Sequence, residues 1–327
     1  MKKIHVKSPC CGAGVVRYGS RRRQCLWCRS TWVIRPKRRG RRRRRIMGTL
    51  AFRYLAHECI PVTHRRGTLT GSARSARLRL ERDELLRRRP WRTIPKGPLI
   101  AVADAIVRHT KTGWYTWFLI LVRAIEETEA VILPPVCLRG AETCQRWRQA
   151  FSEIPPSVTG RIVALVSDGH LGLVTEAKWR GWHIQRCHFH LLARIQSRRS
   201  RWRIARHKAE AGLIFQHIRN VLKRHDESTL TNSLNILEEI GWTSTSPEIR
   251  KVLSGFVRNY QDYRTYLVHP ELNLPTTNNA VESLNALIQA LCQRARGFRT
   301  LSSLNEWITA LCKARGTMKC RGNYQQN

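Results

Sequence analysis

The sequence predicts an α/β fold: a mixed sheet with flanking helices, a helical block inserted late, and two small modules ahead of it. Three observations predict it. Between residues 97 and 190, runs rich in Val, Ile and Leu alternate with segments of helical spacing. From 191 to 270 the pattern turns helical and basic, with apolar residues three and four apart. Before residue 93, a cysteine-containing stretch and an arginine run precede short helical segments.

The elements follow in order. Residues 99–107 form a first strand, and 113–122 its hairpin partner. Residues 130–134 form a short third. Residues 142–154 read as a helix with Trp147 and Phe151 on one face. A fourth strand at 161–167, a helix at 170–180 and a short fifth strand at 181–185 complete the run. Three strands, helix, strand, helix, strand is the order of an RNase H-like sheet. Residues 210–225 and 228–240 are helices of the inserted block. Trp114, Trp117, Trp147, Trp179 and Trp182 are expected in the core, and Trp27 and Trp32 in the first small module. Upstream, prolines and a glycine at 90–98 mark a boundary. Within 48–92, a helix at 49–58 stops at Pro61, Gly67 and Gly71 punctuate, and a helix at 72–81 turns Arg74, Arg77 and Arg79 outward. That outline fits a helix-turn-helix, and equally a plain basic helical pair.

The formal net charge is +38, which selects a polyanionic partner, nucleic acid first. No apolar run reaches the ~18 residues of a membrane span, so no membrane association is expected. Nine of the eleven residues 35–45 are basic, including Arg38, Arg39, Arg41, Arg42, Arg43, Arg44 and Arg45. Such a run cannot bury itself and reads as an extended, DNA-binding arm.

Eleven cysteines, an odd number, with no apolar signal core at residues 1–8, favour thiols and metal ligation over disulfides. Cys25 and Cys28 have the spacing of a zinc knuckle. The first knuckle is irregular, because Ser8 stands where a Cys-x-x-Cys-Gly would need cysteine. Cys10 and Cys11 can both ligate, or His5 can substitute, to complete a structural Zn²⁺ site.

Five aspartates occur in the chain, and two sit at apolar strands. Asp104 lies inside the first strand, where an unpaired carboxylate is costly. Asp168 ends the fourth strand, and Glu282 follows on a helix opened by Thr276-Thr-Asn-Asn. Each of the last two has a plain structural alternative: an Asp-Gly turn for Asp168, and a capping box from Asn279 for Glu282. Together the three offer hard oxygen ligands suited to Mg²⁺ or Mn²⁺.

Val166-Ser-Asp-Gly-His170, Trp182-His-Ile-Gln-Arg-Cys-His-Phe-His-Leu191 and Pro275-Thr-Thr-Asn-Asn-Ala-Val-Glu-Ser-Leu-Asn285 resemble the core of Mutator-like insertion-sequence transposases. The likeness is to the prokaryotic group with an N-terminal zinc-binding ribbon, and it covers most of the chain. It implies a DDE transposase with an RNase H-like fold, its acids mapping to Asp104, Asp168 and Glu282. Those acids are spaced by 64 and 114 residues, the second gap holding the helical insertion. The family's cysteine–histidine signature maps to Cys187 and His190; their spacing is plausible for a metal, but no second ligand pair is evident in the sequence, so they are expected to pack and hydrogen-bond beside the second acid. The organisation implied is a ribbon at 1–34, a basic linker at 35–47, a helix-turn-helix at 48–92, a catalytic core at 97–190 and 271–316 around the insertion at 191–270, and a tail at 317–327. The implied function is binding of double-stranded element ends, then metal-dependent cleavage and strand transfer with two Mg²⁺ or Mn²⁺ ions. A homo-oligomer on DNA and a cytoplasmic, nucleoid-associated location follow. An inactive, repurposed DNA-binding derivative and an RNase H-like nuclease are the alternatives.

Overall fold

The computed structural model describes residues 8, 10–18, 22–33, 82–83, 86–87, 91–110, 112–199, 208–294, 298 and 300–320. They belong to two compact units, 1–50 and 51–327. The arginine arm (Arg38, Arg39 and Arg41 to Arg45), the arginines Arg74, Arg77 and Arg79, and most of 48–92 lie outside the described residues, as do His5 and Cys59.

The smaller unit is an antiparallel three-stranded sheet: β1 (Val15–Tyr18), β2 (Arg22–Cys25) and β3 (Thr31–Val33). Cys25 is fully buried, but Trp27 is 83% exposed and Trp32 only half-buried. A single three-stranded layer has too little interior to cover an indole on its turn.

The larger unit is mixed α/β. Its sheet contains β4 (Leu99–Thr110), β5 (Gly113–Ala124), β6 (Glu129–Ile132), β7 (Val136–Arg139), β8 (Ile162–Ser167), β9 (His183–Arg186) and β10 (Thr317–Lys319). The spatial order is β10-β6-β5-β4-β8-β9, with β7 also pairing with β5. β4, β5 and β6 are antiparallel neighbours; β8 runs parallel to β4, and β9 parallel to β8. The helices between strands are α1 (Cys144–Ser152), α2 (Pro156–Thr159) and α3 (Leu171–Trp179).

Two strand segments differ from the sequence reading. The third strand, expected at 130–134, spans 129–132 and ends before Pro134-Pro135, since proline cannot donate to the ladder, and β7, which was not expected, follows at 136–139. Residues 317–319, expected in a tail, form β10 against β6 after Gly316, whose positive φ of 72° turns the chain.

Strand periodicity sorts side chains to two faces. Leu99, Ala101 and Ala103 of β4 join Phe118, Ile120 and Val122 of β5 under α1 and α3. Trp147, Phe151 and Trp182 fill that side, Phe151 meeting the other two rings at 5.8 and 5.1 Å. Ile100, Val102 and Ile106 face the other way, with Trp117, Leu119 and Leu121. There they meet α9 (Asn279–Arg294) and α10 (Leu301–Arg315) through Leu284, Ile288 and Ile308. Trp114 and Trp179 depart from the expected core: they are 55% and 66% exposed. Trp114 sits at the hairpin end of β5, edge-on to His109, and Trp179 carries the Arg148 guanidinium at 4.7 Å.

Between β9 and α9 run α4 (His188–Arg199), α5 (Lys208–Lys223), α6 (Glu227–Thr243), α7 (Pro247–Arg258), α8 (Tyr260–Val268) and a 3₁₀ turn, Pro270–Leu272. This block has its own core around Ile218, Val221, Leu237, Leu253 and Phe256. It is tied to the sheet by Gln185, whose Oε1 accepts from Tyr266 N at 2.9 Å and whose Nε2 donates to Tyr263 O at 3.1 Å.

Phe151→Ala should destabilise the fold by about 3–5 kcal/mol, the usual cost of emptying a buried aromatic site. Denaturant titration of the full chain checks it; an unchanged midpoint would show that this side of the sheet is not a continuous core.

Candidate active site and metal centres

β4 and β8 pair in parallel with Val102 opposite Val166. Two residues further along each chain stand Asp104 and Asp168, so alternation places both acids on the face that carries Val102 and Val166, at the same level of the sheet. That is the face covered by α9. Glu282 lies in the first turn of α9, and Asn285, one turn on, donates Nδ2 to Asp104 Oδ2 at 2.5 Å.

Each acid is held locally. Asp104 Oδ1 accepts from Ala105 N at 2.8 Å. Asp168 Oδ1 accepts from His170 N at 2.8 Å, closing a turn through Gly169 at φ 89°. α9 begins at Asn279, and the Glu282 carboxylate reaches His190, with Oε1 3.2 Å from Nδ1.

The acids feel one another. Burial pushes Asp104 up to about 7, helped by the charges of Asp168, Glu142 and Glu282 and opposed by the Ala105 hydrogen bond. Burial also raises Glu282, with Asp168 adding to the rise and His190 opposing it. Asp104 and Glu282, from two different elements, are thus both raised by burial and by the charge of Asp168.

A fourth acid joins the cluster. Burial and the charge of Asp168 raise Glu142, which precedes α1, while hydrogen bonding from Trp147 and the charge of His170 lower it. Trp147 Nε1 donates to its Oε1 at 2.8 Å, and His170 Nδ1 lies 3.0 Å from the same oxygen. Glu142, His170 and Asn285 were not among the expected site residues. The i, i+3 spacing of Glu282 and Asn285 was the available signal for Asn285; Glu142 looked like an ordinary helix-entry glutamate.

Cys187 and His190, expected beside the second acid, have their ligand atoms grouped with the third, Glu282. Cys187 N donates to Ser167 O at 2.7 Å, next to Asp168. Its sulfur, His190 and Glu282 offer ligand atoms within 4.8 Å of one another.

In the smaller unit, Cys10, Cys11, Cys25 and Cys28 place their four sulfurs within 4.8 Å of one another. Cys10–Cys28 and Cys11–Cys25 are each 3.2 Å apart, and Cys11–Cys28 3.8 Å. Zn–S bonds of ~2.3 Å imply tetrahedral edges of about 3.8 Å, so this cluster can hold a metal such as zinc. The buried Ser8 does not ligate; its Oγ lies 3.4 Å from Cys25 Sγ and 3.5 Å from Cys11 Sγ. The Ser8 hydrogen bond is the main cause that brings Cys25 down to about 6, and Ser30 lowers Cys28, both favouring the thiolates that zinc requires.

Residues 129–317 match the family described as transposase, Mutator family. The chain belongs to the Mutator family of transposases. The match contains Asp168, Cys187, His190 and Glu282 and begins after Asp104. Comparison with curated proteins gives no match. Among the described residues of this transposase, no helix is long and apolar enough to cross a membrane.

The Asp104 shift has a sign that can be tested. Its folded pKa stands above the ordinary 3.8, so the metal-free fold is favoured by the protonated form. That contribution is complete below about pH 4 and is lost as pH rises toward about 7. Asp104→Asn should therefore raise the melting midpoint of the metal-free chain at pH 8 relative to wild type, with little difference near pH 4. A midpoint lowered equally at both pH values would contradict the burial and repulsion described.

Proposed function

We propose that this transposase binds the double-stranded ends of its insertion sequence and cuts and joins DNA there, with Asp104, Asp168 and Glu282 as its catalytic carboxylates. The observation that carries the reading is the convergence of the three acids from β4, the end of β8 and the first turn of α9 on one face of the sheet, with Asp104 raised by burial and by its acidic neighbours. The strand pattern supports an RNase H-like assignment: three consecutive antiparallel strands, then two parallel strands separated by helices, with a helical block before the last acid.

Asp104, Asp168 and Glu282 would hold Mg²⁺ or Mn²⁺, which would supply the activation of water or of a freed 3′-hydroxyl and the stabilisation of the leaving oxygen in an in-line displacement. The chain's own residues set the geometry. Asn285 and the Ala105 amide orient the Asp104 carboxylate. The Gly169 turn orients Asp168, and His190 draws one oxygen of Glu282. Glu142, held by Trp147 and His170, adds negative charge beside Asp168 and so increases cation affinity. End binding is assigned to the ribbon, the arm Arg38–Arg45 and the segment bearing Arg74, Arg77 and Arg79, whose cations neutralise phosphates. Joining two ends calls for a homo-oligomer on DNA.

Incubation with the element's own ends and Mn²⁺, followed by mapping of cleavage and joined products, tests this reading. Asp104→Asn, Asp168→Asn and Glu282→Gln should each lower cleavage by about 10²-fold or more while retaining end binding, because each removes a metal-ligand charge and no phosphate-binding cation. Near wild-type cleavage by any of them removes that residue from the set. Cleavage without joining would mark a nuclease instead.

End binding should weaken steeply with salt, by about 10³-fold or more between 50 and 200 mM if some six phosphates are neutralised. Deleting 35–45 should reduce that slope and weaken all sequences about equally. A slope unchanged by the deletion would show that the arm does not contact phosphate.

A further inference from the structure

The segment that follows the second acid ends on two residues of metal-ligating type. Cys187 lies between the last residue of β9, Arg186, and the start of α4, and His190 follows three residues on in α4, a spacing that sets both on one side of the helix entry. Opposite them stands Glu282. One thiol sulfur, one imidazole nitrogen and one carboxylate oxygen thus lie within 4.8 Å of one another.

Two further observations point to a ligand. His190 Nδ1 and Glu282 Oε1 are both shielded from solvent and face one another as an ion pair at 3.2 Å, and neither makes a hydrogen bond to any other group among the described residues. The frame around them is fixed independently of this pair. Cys187 N donates to Ser167 O at 2.7 Å, and His188 N donates to Thr276 O at 2.9 Å, joining the start of α4 to the loop that leads into α9. Asn278, fully buried, directs its backbone amide at the Cys187 sulfur.

We propose that Cys187, His190 and Glu282 form a second zinc site, separate from the ribbon. The mixture of sulfur, nitrogen and oxygen donors suits Zn²⁺ and not Mg²⁺, which takes oxygen ligands. The 3.2 Å separation is near the edge of about 3.4 Å expected between nitrogen and oxygen ligands of a tetrahedral zinc. Three protein ligands leave a fourth position open to water. The Cys187 thiol proton leaves to solvent on binding, as it must for any thiolate ligand. Zinc here fixes the first turn of α9 against the end of β9 and thereby positions Glu282. That consequence rests on the role proposed for Glu282 in cleavage; the existence of the site does not.

The test is metal analysis of the full-length chain after zinc titration and removal of loosely held ion. About two zinc per chain are expected for wild type. The double variant Cys25→Ser/Cys28→Ser should retain about one, and His190→Ala should also retain about one, now in the ribbon. Cys187→Ser is the second probe of the same site, and Co²⁺ bound to the ribbon double variant should show a thiolate charge-transfer band that Cys187→Ser abolishes. About one zinc in wild type and none in the ribbon double variant would overturn the proposal. So would a second zinc unmoved by both His190→Ala and Cys187→Ser. Because the readout is metal content, its failure is distinct from failure of the cleavage reading, which the acid variants report.

Discussion

An ionisable carboxylate on an apolar strand is the constraint to which the α/β unit answers. Asp104 has fully buried residues before it in β4, and both burial and neighbouring acids resist its ionisation. No gain in packing explains such a residue, since a methyl-bearing side chain there would be more stable. In the proposed function a divalent cation would offset that repulsion. The parallel β4–β8 pairing is what allows it, because adjacent parallel strands bring their carboxyl-terminal ends to one level, as antiparallel neighbours do not.

The third acid depends on a chain of polar contacts. Arg123, 2% exposed at the end of β5, donates to the carbonyls of Ala124, Ile125 and Glu127 and to that of Asn273. Asn273, in the left-handed region at φ 46°, heads the segment leading to α9. From the other side, His188 N holds Thr276 O, and α8 is fastened to β9 through Gln185 and Thr265. A helix separated from Asp168 by a whole inserted block is thus anchored within a few residues of Glu282. The block keeps its own hydrophobic core, so its length does not loosen the site.

Much of this was legible in the sequence because the informative residues break a pattern. Asp104 interrupts an apolar run, and the strand-like runs at 99–107, 113–122 and 161–167 correspond to β4, β5 and β8. The break between β6 and β7 and the edge strand β10 were not legible: each segment is only three or four residues long, and pairing rather than composition makes it a strand. The exposure of Trp114 and Trp179 was hidden because aromatic content does not reveal where a strand or helix outruns its core. Glu142 carries no local signature; it reaches the site through Trp147 and His170, contacts made by the fold. In the ribbon, adjacent Cys10 and Cys11 left the ligand set open, and the cluster of four sulfurs contains both.

The central claim is that Asp104, Asp168 and Glu282 form one cation site. Mn²⁺ titration of the zinc-loaded chain on end DNA, with free Mn²⁺ read by electron paramagnetic resonance, tests it most directly. Wild type should bind about two Mn²⁺, and each single variant Asp104→Asn, Asp168→Asn and Glu282→Gln should lose measurable binding. Mn²⁺ binding by all three variants equal to wild type would contradict it.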